Sequence, residues 1–210
     1  MTYLISTLIF AVVGTAQLNI FEIEGIFSNA HINALEGHIE EYEYTDDDLL
    51  ILQYSSQEGS AESIAELNSL LSGYDFPIGV WFGPYKISID FEQLNNFDYI
   101  GFSPGLEINN VSFDESVEKK YCTINICNFE ERKIIVSTNE GIYDNYLIVG
   151  TLGSFIENID FVISDQSIEF FKPSLFERFY IAISNPIFTY MFFVLGFALI
   201  GLELFAIGPG

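Results

Sequence analysis

The spacing of apolar residues between positions 18 and 102 switches repeatedly between that of a strand and that of a helix. Four segments have a strand-like pattern, at residues 18–24, 49–52, 77–82 and 98–102. Between them, apolar residues recur every three or four positions, as on one face of a helix. This alternation predicts an α/β fold with a parallel sheet and right-handed crossovers. Functional residues in such folds gather in loops after strand ends, here residues 55–60 and 84–90.

Beyond Gly105 the pattern is less regular. Residues 134–136 and 146–149 have the composition of strands, and residues 152–159 that of a short helix. Residues 161–171 are interpreted as a hairpin. The sequence therefore predicts that the regular α/β part of the domain ends near residue 105 and that smaller elements complete it.

An uncharged apolar run at residues 2–16 begins the chain and ends in the small residues Gly14, Thr15 and Ala16. The run is short for a membrane span, and small residues suit cleavage by a signal peptidase. No lysine or arginine precedes it, which departs from the usual signal peptide. We favour an export signal, with a retained anchor or an ordinary buried strand as the alternatives.

Residues 187–207 are apolar except for Glu203, which is the composition of a transmembrane helix. Before this run, Leu175, Phe176, Phe179 and Ile183 recur at helical spacing beside charged residues. That pattern predicts an amphipathic helix that lies in the membrane interface and leads into the span.

A strongly acidic composition excludes one large class of functions. Thirty acidic residues against seven basic ones give a formal charge of −23. Binding to nucleic acid requires clustered lysine and arginine, so we expect no nucleic-acid partner. The acidity favours a solvated surface suited to high salt or to a basic partner.

Cys122 and Cys127 are the two cysteines of the chain. An odd spacing along one strand would place their side chains on opposite faces. Free thiols are therefore the default expectation, with a disulfide in an oxidising compartment as the alternative if the segment turns. Too few other ligands lie nearby for a zinc site, and the sequence predicts no cofactor.

Ser88 is the candidate nucleophile. Residues 76–105 have the pattern of strand, turn, helix and strand, which places Ser88 at or just before the start of the helix. The free N–H groups and positive dipole of a helix N-terminus stabilise a developing oxyanion. A serine that only caps the helix fits the same position, so a catalytic and a structural role both stay open.

The order of these segments resembles the NfeD family of membrane-bound, ClpP-class serine protease homologues. The resemblance is carried by residues 23–26, 49–53, 77–84, 99–105, 150–156 and 184–186, with Gly196 and Glu203. It implies a ClpP/crotonase-like ββα superhelix domain in residues 18–172, after a signal peptide or signal anchor in residues 1–17. It also implies an interfacial amphipathic helix in residues 173–185 and a transmembrane segment in residues 186–210.

The resemblance implies that Ser88 occupies the position of the family's nucleophile. Active members carry a Ser-Ala-Gly motif sixteen residues before the proline of a Pro-Gly step, and Ser88 stands sixteen residues before Pro104. Here Ile89 and Asp90 replace the small residues of the motif. A carboxylate two residues away opposes both an oxyanion and a serine alkoxide, which predicts a degenerate site.

The other catalytic groups of the family have weak counterparts in this chain. The oxyanion loop corresponds to residues 54–59, where Ser55 and Ser56 replace paired glycines and Gly59 remains. In such enzymes a lysine kept neutral by burial takes the proton of the serine. The candidate bases are Lys119, Lys120 and Lys133. All three lie in charged stretches, without the apolar neighbours that a neutral lysine requires.

Three functions follow from these observations. The first is a membrane-anchored NfeD/ClpP-class homologue that has lost most activity and acts by binding or assembly. The second is an active Ser/Lys peptidase that cleaves apolar segments of a membrane protein. The third is an unrelated exported binding domain with one membrane anchor. The resemblance implies a stomatin-like membrane partner, self-association and contact with lipid. It also implies location in the cell membrane, with the ClpP-like domain on the extracytoplasmic side.

Overall fold

The computed structural model describes residues 17–42, 44–58, 61–89, 91–161, 168–171, 173–183 and 186–206. Its strands are β1 (Leu18–Ile26), β2 (Leu49–Glu58), β3 (Ile78–Phe82), β4 (Ile87–Ser88), β5 (Tyr99–Phe102), β6 (Glu107–Asn109), β7 (Ile126–Asn128), β8 (Lys133–Ile135), β9 (Gly141–Tyr143), β10 (Tyr146–Ile148) and β11 (Ile168–Phe171). Its helices are α1 (Asn29–Tyr42), α2 (Ala61–Leu71), α3 (Glu115–Tyr121), α4 (Leu152–Asn158), α5 (Leu175–Ile183) and α6 (Pro186–Ala206), with a 3₁₀ helix at Phe91–Asn96. The signal segment predicted at residues 1–17 lies outside the described residues, apart from Gln17.

The described strands form two sheets. The main sheet has seven strands in the order β11-β1-β2-β3-β5-β10-β9, and the small sheet has four in the order β4-β6-β8-β7. Every pair in the main sheet is parallel except β10 with β9. In the small sheet β4 is parallel to β6, whereas β8 is antiparallel to both β6 and β7. The predicted α/β fold with a mainly parallel sheet is confirmed.

Both faces of the main sheet are buried at its central strands, as is usual for parallel sheets. One face carries Phe21, Leu52 and Phe82, which belong to a core shared with α1, α2 and the small sheet. The other face carries Ile20 and Ile51, among others, in a second core with Phe155 of α4 and the sole tryptophan, Trp81. The continuous apolar runs of the sequence are therefore strands covered on both sides.

Residues 55–58, which the sequence predicts as part of a loop, are instead strand. β2 continues to Glu58 because β1 is also longer than predicted and pairs with it through Glu24–Ser55 and Gly25–Ser56. A polar sequence is no obstacle to a strand whose backbone groups have a partner. The ladder shifts register between Gly25 and Ile26, where Gly25 takes a φ of 77°.

Two other elements differ from their predicted form. The helix predicted after Ser88 is a 3₁₀ helix that begins three residues later, at Phe91. Residues 162–167 of the predicted hairpin lie outside the described residues. The described end of that segment is β11, which pairs in parallel with β1 at the edge of the main sheet.

The C-terminal part is a pair of helices, as predicted. One helix of the described residues is long and apolar enough to cross a membrane, at Ile187–Phe205, with a mean hydropathy of 2.1 and none of its span buried in the protein. α5 precedes it and has no buried residue, although Leu175, Phe176 and Phe179 are large and apolar.

Candidate functional site

Ser88 lies at the edge of the small sheet, in β4, and not at the end of a helix. Its neighbours Ile87 and Ile89 are buried in the core, at 2% and 0% exposure, whereas Ser88 is half-buried on the opposite face. Ile89, which replaces a small residue of the family's motif, therefore points into the core and away from the face that carries the Ser88 hydroxyl. Asp90 lies outside the described residues. β4 lies beside β2, which carries Ser55 and Ser56.

Asn110 holds the Ser88 hydroxyl. The Asn110 side-chain Nδ2 donates a hydrogen bond of 2.6 Å to Ser88 Oγ. Asn110 has a φ of 59°, a left-handed conformation that asparagine adopts more readily than most residues. Arg132 fixes this turn by donating to the carbonyl oxygens of Asn110, at 3.4 Å, and Val111, at 3.2 Å. In this bond the Ser88 hydroxyl is the acceptor. Among the described residues, no base accepts a hydrogen bond from it.

The sheet register places Ser88 and Lys133 on one face. Ser88 pairs with Asn109 of β6, and one step along the antiparallel ladder from Ile108–Ile134, Asn109 lies opposite Lys133. Residues opposite each other on adjacent strands point to the same face. With strands about 4.8 Å apart, the backbones of Ser88 and Lys133 are about 10 Å apart across β6.

Glu107 binds the ammonium group of Lys133. Glu107 Oε2 lies 3.0 Å from Lys133 Nζ and 2.9 Å from Lys86 Nζ. Hydrogen bonds from Lys86 and then Lys133 lower the pKa of Glu107, which keeps it a carboxylate. A lysine in such a pair is an ammonium ion, which has three donors and no lone pair with which to take a proton. Lys133, the candidate base on the same sheet face as Ser88, is thus paired with Glu107.

Lys119 and Lys120 face a different part of the molecule. Both are in the last turn of α3, and both line a cavity with the β9–β10 hairpin whose lining includes neither Ser88 nor Asn110. Lys119 is exposed, and Lys120 places Nζ 5.2 Å from the ring centre of Tyr121. Of the three predicted bases, the structure brings only Lys133 onto the same sheet face as Ser88.

Ser55 and Ser56 occupy the strand β2 and not the predicted loop, while Gly59 lies outside the described residues. Ser56 is fully buried, and its hydroxyl donates to the carbonyl oxygen of Gly25 at 2.5 Å and accepts from the amide of Phe27 at 3.2 Å. Ser55 is half-buried and accepts a longer bond of 3.4 Å from Gln53 Nε2. The Ser56 side chain thus bonds the backbone on both sides of the register shift in β1.

Cys122 and Cys127 form a disulfide, so the expectation of free thiols is wrong. Cys122 caps the C-terminal end of α3 and Cys127 lies in β7, so the intervening segment turns. This turn brings the two Cα atoms to 5.6 Å, within the range of a disulfide. The bridge fixes the end of α3 against the small sheet.

Asn110 and Glu107 are the site residues that sequence reasoning missed. They act on Ser88 and Lys133 from distances of 22 and 26 residues along the chain. The Asn109-Asn110 step is a turn signal, because asparagine tolerates a positive φ. That signal could have located the turn, but not its contact with Ser88.

Searches against protein-family models and against curated proteins return no match for this chain. Solved structures do match. The 1510-N membrane protease specific for a stomatin homolog from Pyrococcus horikoshii matches with a TM-score of 0.56 and 9% identity, covering 82% of this chain and 100% of that chain. A lysine-to-alanine mutant of the 1510-N membrane-bound stomatin-specific protease, in complex with a substrate peptide, matches with a TM-score of 0.55 and 8% identity, over 81% and 99% of the two chains. A serine-to-alanine mutant of the same 1510-N protease matches with a TM-score of 0.50 and 8% identity, covering 77% of this chain and 100% of that chain.

These similarities establish the fold. At 8% to 9% identity they carry no information about individual side chains. They agree with the ClpP/crotonase-like fold that the sequence predicts, and they extend over the whole of the matched protease chains. This chain therefore has a mixed α/β, ClpP-like protease fold, followed by one apolar helix with the length of a membrane span.

Proposed function

We propose that this protein is a membrane-anchored homologue of the NfeD/ClpP-class serine proteases that is catalytically impaired and acts by binding or assembly at the membrane. The observation that carries the proposal is the state of the candidate dyad. Asn110 donates to Ser88 Oγ, and Glu107 holds the ammonium group of Lys133. A nucleophilic serine requires an adjacent base that can accept its proton.

The partner in this proposal is a stomatin-like membrane protein. Two matched structures are described as proteases specific for stomatin or a stomatin homologue, and the resemblance of the sequence to the NfeD family points the same way. A fold that once bound an extended substrate can keep that surface after catalysis is lost. We propose self-association of the ClpP-like domain as the second interaction.

The disulfide supports an extracytoplasmic position for the domain. Disulfides persist in oxidising compartments and are rare in the cytosol. Together with the apolar helix α6, the Cys122–Cys127 bridge favours a domain outside the cytoplasm that is held at the cell membrane. The apolar run at residues 2–16 supplies the export signal in this proposal.

A serine-directed fluorophosphonate probe tests the catalytic part of the proposal. We expect the full chain in membranes to label no more than Ser88→Ala, because no free base activates the hydroxyl. An active serine hydrolase added to the same membranes is the control for the probe. Labelling of the wild-type chain that disappears in Ser88→Ala would contradict the proposed impairment.

An active Ser/Lys peptidase is the second candidate, and the shared sheet face of Ser88 and Lys133 favours it. In that case labelling should disappear in both Ser88→Ala and Lys133→Ala, yet persist in Lys119→Ala and Lys120→Ala. Glu107→Gln should increase labelling, because it removes the carboxylate that holds Lys133. The third candidate, an unrelated binding domain, has lost its support because the fold is ClpP-like.

We propose that α5 lies in the membrane interface. Leu175, Phe176 and Phe179 are 83%, 79% and 59% exposed, more than a water-facing helix usually leaves uncovered. α5 contacts α6, so the membrane span holds it near the bilayer. An interfacial helix buries its apolar face about 5–10 Å into the boundary between headgroups and acyl chains.

Tryptophan fluorescence tests this position in the full chain. In bilayers that contain brominated lipids, the emission that Phe179→Trp adds to that of Trp81 should be strongly quenched, because bromine quenches indole at short range within the bilayer. Ile142→Trp is the matched control, since Ile142 is 66% exposed on β9, at the opposite edge of the main sheet from β11. Equal quenching of the two variants would exclude a specific interfacial position of α5.

A further inference from the structure

A cavity of about 560 Å³ lies between α3 and the β9–β10 hairpin. Lys119, Lys120 and Thr123 line it from α3 and the turn that follows, and Ile142, Tyr143 and Tyr146 line it from the hairpin. Its volume is that of a small-molecule site. The Cys122–Cys127 disulfide closes the turn after α3 and so fixes one wall of the cavity relative to the small sheet.

Two of the seven basic side chains of this acidic protein meet in the cavity. The ion pairs of the described residues, Lys86–Glu107 and Lys133–Glu107, involve neither Lys119 nor Lys120. Two ammonium groups on successive residues of α3 therefore line one wall of the cavity, and Asp144 is the carboxylate of its lining. Such a site attracts a compact anionic group.

Tyr146, which lines the cavity, carries a hydroxyl that can donate to a ligand. Tyr146 accepts a bond of 3.3 Å from Asn125 Nδ2 and keeps its own proton for donation. Burial raises the pKa of Tyr146 to about 12, so this proton stays in place at neutral pH. Thr123 donates its one hydroxyl proton to the carbonyl oxygen of Lys119, so it offers no donor to an anion.

The hairpin side of the cavity has a different character. Ile142 is 66% exposed and Ile124 is half-buried, which leaves an apolar surface beside the ring of Tyr143. Asp144 also lines the cavity, and its carboxylate repels an anion from the hairpin side. A ligand must therefore place its charge against α3 and its apolar body against the hairpin.

We propose that this cavity binds an amphipathic carboxylate, with the carboxylate on Lys119 and Lys120 and the apolar body against Ile142 and Tyr143. Two sources share this chemistry: the free C-terminus of an apolar peptide and the anion of a fatty acid. The site is independent of Ser88, so it stands whether or not the protein is a peptidase.

The test uses the full chain in nanodiscs of zwitterionic lipid, with fluorescence anisotropy of a labelled apolar hexapeptide that has a free C-terminal carboxylate. Lys119→Gln combined with Lys120→Gln should weaken binding at least about tenfold, because bonds to charged groups are lost. The same peptide with an amidated C-terminus should bind the wild-type chain as weakly as the carboxylate peptide binds the double variant. Lys86→Gln, at an exposed lysine outside the cavity, is the matched control and should leave the affinity unchanged.

Competition identifies the source of the carboxylate. Displacement of the peptide by octanoate supports a site open to fatty acids, whereas peptide binding that octanoate does not displace supports a C-terminal peptide. Equal affinity for the amidated peptide, an equal loss in Lys86→Gln, or failure of both the peptide and octanoate to bind would overturn the proposal.

Discussion

Replacement of Gly101 by alanine is expected to destabilise the domain by about 3 kcal/mol, because the core above this glycine has no room for a methyl group. A Cβ at Gly101 would lie 2.5 Å from Phe155 Cδ2 and 2.8 Å from Trp81 Cδ1. Phe155 is fully buried and Trp81 is 6% exposed, so neither ring can move aside without displacing its neighbours. Gly101 lies in β5, between β3 and β10 of the main sheet.

Thermal unfolding of the full chain in nanodiscs measures this effect. Fluorescence of Trp81 is a direct reporter, because it is the sole tryptophan and contacts the altered position. A loss of about 3 kcal/mol should lower Tm by about 6–12 °C in a domain of this size.

Gly37→Ala is the control for Gly101→Ala, since it is the same chemical change at an open position. Gly37 lies within α1, and a Cβ there meets nothing within 4 Å. Alanine is favoured over glycine inside a helix by about 1 kcal/mol, so this variant should be equally stable or more stable. A Gly101→Ala variant that unfolds at the wild-type temperature would contradict the packing of α4 on the main sheet.

The central strands of the main sheet, β1, β2, β3 and β5, could be predicted from sequence because they carry their own signal. Parallel strands covered on both faces read as continuous apolar runs, and Leu49, Leu50, Ile51 and Leu52 are all fully buried. The helices between them show one apolar face, which locates them to within a few residues. These patterns are local, so each could be read without knowledge of the partner strand.

The small sheet could not be predicted in the same way. β4 has two residues and β6 has three, too few to show a period of two. Their positions depend on pairing with strands about 20 residues away, such as Ser88 with Asn109. For the same reason the sequence placed Ser88 on a helix end, and it gave no indication that Asn110 holds the hydroxyl.

The sequence predicted which residues belong to the candidate site, but not how they are arranged in space. Family register selected Ser88, and the family's use of a lysine base selected three lysines, but only the sheet register separates Lys133 from Lys119 and Lys120. The role of Glu107 depends on two ion pairs, one to each neighbouring strand segment. Such contacts form between segments distant in sequence, which single-sequence patterns do not record.

Ser56→Ala should destabilise the domain by about 2 kcal/mol, because it removes a hydroxyl that satisfies two backbone groups at the register shift of β1. Ser56 Oγ is bonded to the carbonyl oxygen of Gly25 and to the amide of Phe27, and Ser56 is fully buried. Without the hydroxyl, both backbone groups lose a buried partner that water cannot readily replace. The expected fall in Tm is about 4–8 °C, measured by Trp81 fluorescence of the full chain.

Ser55→Ala is the matched control for the neighbouring position in β2. Ser55 is half-buried, and its hydroxyl accepts a long bond of 3.4 Å from Gln53, so its loss should cost less than about 0.5 kcal/mol. The pair of variants separates two roles for the segment that the sequence assigned to an oxyanion loop. A loss of stability confined to Ser56→Ala would assign its hydroxyl to holding β1 against β2. Two variants of equal stability would show that the Ser56 hydroxyl is dispensable for holding β1 against β2. The segment would then be a candidate for a substrate-binding edge.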